Sequence, residues 1–170
     1  NYPMGKLGCG YKLSEDGNSY TFEKILNGDP SNNNEMSPLL RPGINVQNGD
    51  TLIAVNGTKV DKKTHPKQLL VNFPDQYITL TIQRKGKKTK EDVVVRTLAF
   101  EQHLQYRNWV ETNRQYVHKK SRGRTGYIHI PDMGFNGFAE FHRLWLSECE
   151  YDSLIVDVRY NGGGFVSQLI

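Results

Sequence analysis

A mixed α/β chain in two parts is what the sequence predicts, and three observations carry that prediction. Over residues 1–97, short runs of alternating apolar and polar residues are separated by turn residues, the pattern of half-buried strands. Around residues 99–118 the apolar spacing lengthens to the helical period. Beyond Arg124 a strand pattern, a helix pattern and a second strand pattern follow one another, as at the start of an α/β domain built on a βαβ unit. The expected organisation is a strand-rich module at 1–97, a linking amphipathic helix at 98–124, and the first part of a second α/β domain at 125–170, cut short.

In chain order, residues 7–13 and 19–26 alternate on either side of Glu15-Asp16-Gly17-Asn18, a hairpin signal. Residues 27–37 are polar and asparagine-rich and read as an inserted loop. Met36-Ser37-Pro38-Leu39-Leu40 suggests a short helix ended by Arg41-Pro42-Gly43. Gln47-Asn48-Gly49-Asp50 turns into a strand at 51–55, and Asn56-Gly57 makes a tight reversal before 58–60. Thr64-His65-Pro66 supplies cap and first-turn residues for a short helix at 66–72. Strands at 77–83 and 92–96 are joined across a lysine-rich tip. Leu13, Phe22, Ile25, Leu52, Ile53, Val55, Ile78, Leu80 and Ile82 are the expected core of this module. In the helix that follows, Phe100, Leu104, Tyr106, Trp109, Val110, Tyr116 and Val117 form a broad apolar face, read as packing surface rather than a cofactor box. Strands are then predicted at 126–131 and 154–158, with a helix at 138–146 between them.

At 170 residues the chain suits one domain, or one small domain with part of another, and a hydrophobic content of 36% with nine Tyr and seven Phe can furnish a core. The net charge of +4 is too mild to imply nucleic acid. Basic residues do cluster, at 84–90 and 118–124, but without interleaved aromatics on which bases could stack. Cys9 and Cys149 allow one disulfide without demanding it, and five histidines show no ligand spacing, so no metal and no cofactor are expected. No run approaches the ~20 apolar residues needed to span a bilayer. The chain opens on Asn1-Tyr2-Pro3 and is expected to be an internal piece of something longer.

The richest stretch is the last. Leu154-Ile155-Val156-Asp157-Val158 runs into Arg159-Tyr160-Asn161-Gly162-Gly163-Gly164, and a helix is expected from Phe165. Glycines let the backbone take positive φ and let bare N–H groups approach a ligand, and a helix start adds partial positive charge. Such a corner can hold a phosphate or the oxyanion of an acyl-transfer intermediate. It can equally be a plain tight turn. A dinucleotide fingerprint is undermined by Ser167 where a third glycine belongs, and a P-loop by the lack of lysine after Gly164.

Two resemblances sharpen these readings. Leu7-Gly8-Cys9-Gly10, then Ser37-Pro38-Leu39-Leu40-Arg41-Pro42-Gly43-Ile44, then Asn48-Gly49-Asp50-Thr51-Leu52-Ile53-Ala54-Val55-Asn56-Gly57 resemble a circularly permuted PDZ domain of the kind found in proteases. The resemblance implies a small β-barrel with short helices. The loop Lys6-Leu7-Gly8-Cys9 would form a nest for a peptide carboxylate, and the strand from Cys9 through Gly10 would pair with the peptide. The helix at 66–72, through Leu69, would wall the groove. His65 falls where some PDZ domains bond a ligand hydroxyl, and it can equally be a plain helix cap.

Residues 125–133 with 154–164 resemble the catalytic core of the C-terminal-processing serine peptidases, and within them the tricorn protease group, which Asn108-Trp109-Val110-Glu111 also matches. This implies a serine-type peptidase in which the glycine corner gives an oxyanion-hole N–H at Gly163, with Gly162 or Gly164 as neighbours. It places the nucleophile and a carboxylate beyond Ile170 and the general-base histidine before Asn1. Ser167 is then a polar position rather than a nucleophile, and the chain alone is expected to hydrolyse nothing. The implied partners are a peptide substrate or peptide C-terminus, with a homo-oligomeric parent. The compartment would be periplasmic if the source is bacterial and cytoplasmic if it is archaeal. A non-catalytic PDZ module recognising C-terminal carboxylates is the alternative.

Overall fold

The computed structural model describes residues 2–28, 35–166 and 168. It divides into two compact units, residues 1–108 and 109–170, the division falling inside the linking helix.

The first unit is an antiparallel sheet of six strands: β1 (Gly10–Leu13), β2 (Tyr20–Glu23), β3 (Thr51–Val55), β4 (Thr58–Lys59), β5 (Tyr77–Gln83) and β6 (Lys90–Arg96). Their order is β1-β2-β3-β5-β6, with β4 paired beside β3. The named strands do not close into the expected barrel, although Lys6, ahead of β1, and Leu98, after β6, form an antiparallel bridge with reciprocal bonds at 2.8 and 2.9 Å. A 3₁₀ turn at Pro38–Leu40, held by Ser37 accepting from Leu39 N–H, stands where a short helix was predicted. The helix predicted at 66–72 is a single turn, α1 (Pro66–Leu69).

Local chemistry explains the strand pairing. Asn56 and Gly57 both take positive φ, +47° and +78°, which matches a two-residue reversal to strand twist and sets β4 against β3. Asp50 is buried at the turn before β3, where its carboxylate accepts from Gln47 N–H at 2.9 Å and Lys85 N–H at 2.8 Å. Arg84 faces it and also donates to the Ile44 and Asn45 carbonyls, at 2.6 Å each, tying the β5–β6 tip to that turn.

Phe22, Leu52, Leu80 and Ile82 are fully enclosed, with Ile25, Val55 and Ile78 nearly so. Two residues of the expected core lie elsewhere. Leu13 ends the edge strand β1, beyond the packed face, and is 40% exposed. Ile53 sits where the β3–β5 register shifts between Leu52 and Ala54. The bulge puts one extra residue between Leu52 and Val55, so both still face enclosed β5 residues, Ile82 and Leu80, while Ile53 is left half-buried outside the core.

α2 (Gln102–Ser121) starts three residues later than the periodicity predicts, and its apolar face is narrower. Leu104 and Val110 are buried, whereas Phe100, before the first turn, and Tyr116 are exposed.

The second unit contains β7 (Thr125–His129), α3 (Phe135–Glu148) and β8 (Ser153–Asp157). β7 and β8 are parallel, His129 opposite Asp157, with α3 as the crossover, as the strand–helix–strand pattern predicts. Asp132 Oδ1 accepts from Gly134 and Gly137 N–H, at 2.8 and 2.9 Å, and so opens α3. A side chain at Gly137 would collide with the Asp132 carbonyl, which is why glycine stands there. Both cysteines are free thiols.

Candidate functional site

Two places in the molecule concentrate polar groups that could meet a ligand, one in each unit. The first is the corner after β8. Asp157, at the end of that strand, is buried and takes a forked pair of bonds from Arg159, Nε to Oδ1 at 2.9 Å and Nη2 to Oδ2 at 2.6 Å. Tyr127 on β7 donates its hydroxyl to Oδ2 at 2.6 Å. Arg159 holds the Asp157 carboxyl well below the usual range, outweighing burial, with Tyr127 helping. Burial, then the bond to Asp157, pushes the Tyr127 hydroxyl up to about 12. The Arg159 guanidinium lies 5.3 Å from the Trp109 ring centre, and His129 meets that ring edge-on at 4.7 Å. His129 Nε2 donates to the Arg159 carbonyl at 2.9 Å.

Beyond this anchor the backbone is bound group by group. Asn161 donates its side-chain amide to the Ile130 carbonyl at 3.0 Å and accepts from Gly163 N–H at 2.7 Å. Gly162 N–H goes to the Pro131 carbonyl at 2.9 Å, and the Gly163 carbonyl accepts from Met133 N–H at 2.8 Å. Gly164 is bridged to Met133 in parallel, which turns its own N–H away from that strand, and this N–H has no acceptor among the described residues. A side chain at Gly164 would strike the Met133 carbonyl, and its φ of +148° is glycine territory. Gly163, at φ +77°, faces open space.

The helix predicted from Phe165 is not found among the described residues Phe165, Val166 and Gln168. Val166 N–H instead bonds the Met133 carbonyl at 2.8 Å, continuing the strand-like bridging. Ser167 lies outside the described residues.

The second place is the open edge of β1, which pairs with β2 alone. Gly8 has φ +62°, the Leu7 carbonyl accepts from Ser37 Oγ at 2.7 Å, and the Gly8 carbonyl accepts from Leu26 N–H at 2.8 Å. The N–H groups of Leu7, Gly8 and Cys9 have no acceptor among the described residues. Beside them is a cleft of about 20 Å³, lined by Leu7, Cys9 and Tyr11, by Lys67 and Leu70, and by Glu101. Leu69 instead packs on the core, and the His65 ring lies edge-on to Tyr11 and Tyr20, at 5.7 and 5.0 Å. His65 Nδ1 accepts from Lys67 N–H at 3.1 Å, the cap reading of this residue. Gly10 opens β1 opposite Glu23.

Sequence reasoning placed Asn161 in the corner motif without a role and missed Tyr127 and Trp109 as its supports. Asp157 and Arg159 two residues apart carried a signal for the ion pair. Nothing local announced that Tyr127, 30 residues away, would complete it.

Residues 5–99 match the family model described as the tricorn protease PDZ domain. The chain belongs to that family. The tricorn match is reinforced in the second unit, where residues 124–170 match the model of peptidase family S41. A tricorn protease homolog of Saccharolobus solfataricus is 46% identical over 98% of this chain and 15% of its own length. The tricorn protease of Thermoplasma acidophilum is 42% identical over 99% of this chain and 15% of its own length. A crystal structure titled as the tricorn protease superposes with a TM-score of 0.87 at 40% identity, over 98% of this chain and 16% of that one. The tricorn-family chain therefore spans about a sixth of the length of these relatives. Among the described residues no helix is long and apolar enough to cross a membrane, and no group of three or more His, Cys, Asp or Glu side chains could hold a metal.

Proposed function

We propose that this chain supplies two parts of a serine-type peptidase that cleaves peptides by acyl transfer: a PDZ groove that receives or gates peptide, and a glycine corner that stabilises the oxyanion. The observation that carries the reading is the corner itself, in a stretch that matches peptidase family S41. Gly164 N–H is unengaged among the described residues, and Gly163 N–H is held only by the neutral Asn161 side chain. A developing oxyanion accepts a hydrogen bond more strongly than an amide oxygen does, so it can take the Gly163 N–H from Asn161 as charge builds. Asp157, Arg159 and Tyr127 fix the corner so that these donors need little reorganisation.

The nucleophile and general base belong to other parts of the longer protein in this reading, and the chain alone turns over no peptide. The full-length protein would be a homo-oligomer inactivated by a serine-directed phosphonate. In it, Gly163→Pro removes the N–H and is expected to lower kcat by ~10² or more. Gly163→Ala keeps the N–H and has space for its methyl, so its loss should stay within about tenfold, from φ strain alone. Equal losses in the two variants would mean that backbone shape, not the donor, matters, and unchanged turnover in Gly163→Pro would sink the oxyanion role.

A second reading has its own support in the three unengaged N–H groups of Leu7, Gly8 and Cys9 beside an unpaired strand edge. In it the module binds C-terminal carboxylates without catalysis. Equal affinity for free and amidated peptides would exclude it.

A further inference from the structure

The end of the groove that would take a ligand's terminal residue is already occupied by residues of the same unit. Leu104, in the first turn of α2, is fully enclosed and packs so closely on the loop that a methyl at Gly8 would come within 2.7 Å of its Cδ2. Glu101, immediately before α2, lines the cleft together with Lys6, Leu7, Cys9, Tyr11 and Lys67. Its carboxylate is steadied by Gln105 Nε2 at 3.1 Å. What remains between these walls is about 20 Å³, room for one water and not for a carboxylate with its side chain. The N–H groups of Leu7, Gly8 and Cys9 nevertheless stay unengaged among the described residues, so the acceptor they suit has not been supplied from within.

We propose that the start of α2 is an autoinhibitory latch on the PDZ groove: Leu104 blocks its loop end, Glu101 repels an incoming carboxylate, and peptide enters only when this turn lifts. The ligand admitted is a peptide with a free C-terminal carboxylate and an apolar last residue, since Met4, Leu7 and Leu70 line the cleft. The proposal rests on the peptide-groove reading for its ligand, but not for the latch itself.

The latch can be read without any ligand. Cys9 lies in the cleft and its thiol is pushed up to about 12 by burial, then by Glu101 acting against its bond to Tyr11 and against Lys67, whereas Cys149 is exposed and serves as an internal control. With the 170-residue chain and an aromatic disulfide reagent, Cys149 is expected to react quickly and Cys9 at least tenfold more slowly. Leu104→Ala should speed Cys9 at least tenfold and leave Cys149 unchanged. Glu101→Gln leaves no hole and keeps the test available if Leu104→Ala unfolds. It should tighten binding of a fluorescein-labelled hexapeptide ending in free-acid leucine at least tenfold and leave the C-terminal amide unaffected. Unchanged Cys9 reactivity in both folded variants, or in Glu101→Gln alone if Leu104→Ala unfolds, together with free-acid binding as tight in wild type as in Glu101→Gln, would overturn the latch. Cys9 unmasked with no peptide bound by any variant would overturn the peptide-groove reading and leave the latch standing.

Discussion

The two units are stabilised by different means. In residues 1–108 both central strands of the sheet are backed by a closed apolar cluster in which Phe22, Leu52, Leu80 and Ile82 expose nothing. In residues 109–170 β7 is buried along its length, but its parallel neighbour β8 leaves Ile155 45% and Val156 48% exposed beside an open cleft of about 510 Å³. Parallel sheets ordinarily cover both faces of every strand. What secures the second unit is polar. Glu148, fully enclosed, accepts from Tyr127 N–H at 2.9 Å, Arg114 Nη1 at 3.0 Å and His118 Nε2 at 2.7 Å, while Asp157 is gripped by Arg159 and Tyr127. One unit thus depends on area removed from water, the other more heavily on two buried carboxylates, and each should fail under a different insult.

Core truncation should separate them most sharply. Phe22→Ala leaves a cavity among enclosed neighbours and is expected to destabilise the first unit by about 3–5 kcal/mol. Ile155→Ala removes a half-exposed side chain and should cost the second unit under about 1.5 kcal/mol. Trp109 and Trp145 are the chain's two tryptophans and both lie in residues 109–170, so denaturation followed by tryptophan fluorescence reports the second unit. Amide exchange in β3 and β5 reports the first. Comparable losses would break the contrast.

Acid should reverse the order of sensitivity. Burial disfavours charging Glu148, yet Tyr127 N–H, His118 and Arg114 outweigh it and hold its carboxyl below the ordinary 4.5. The Asp157 carboxyl is held below the ordinary 3.8, chiefly by Arg159. A carboxyl with a lowered folded pKa stabilises above its unfolded pKa and loses that contribution as pH falls toward the folded value. The tryptophan-reported transition should therefore lose stability progressively below about pH 4.5, and Glu148→Gln should flatten that slope while costing about 1–3 kcal/mol at neutral pH. A slope unaltered in both Glu148→Gln and Asp157→Asn would show that other groups carry the acid response.

The same contrast governs what could be read from sequence. Strand positions in the first unit were legible because alternation and turn residues such as Asn56-Gly57 are local, and the parallel pair was legible from strand–helix–strand order. The missed details are tertiary: a bulge that keeps Val55 in the core and leaves Ile53 out of it, strands that do not close into the expected barrel, and a corner whose anchor joins Tyr127 to Asp157 across 30 residues. At the corner, the glycines were visible as residues free to adopt positive φ. Which N–H each would leave unengaged depended on Asn161, Pro131 and Met133, and no periodicity encodes that.

The smallest effect tests whether the first unit is as indifferent to pH as its apolar core suggests. His65 caps α1 with Nδ1 as acceptor, which requires an unprotonated nitrogen, and burial followed by the charge of Lys67 lowers its pKa from the ordinary 6.5. A histidine whose folded pKa is depressed contributes stability above its unfolded pKa and loses it as pH falls through 6.5 toward the folded value. His65→Ala should therefore cost about 0.5–2 kcal/mol at pH 8 and less at pH 5, whereas His65→Asn, which can still accept from Lys67 N–H, should cost little at either. Exchange of the β3 and β5 amides measures this. A loss in His65→Ala that does not shrink on acidification would show that the ring's packing against Tyr11 and Tyr20, rather than its cap, is what this position contributes.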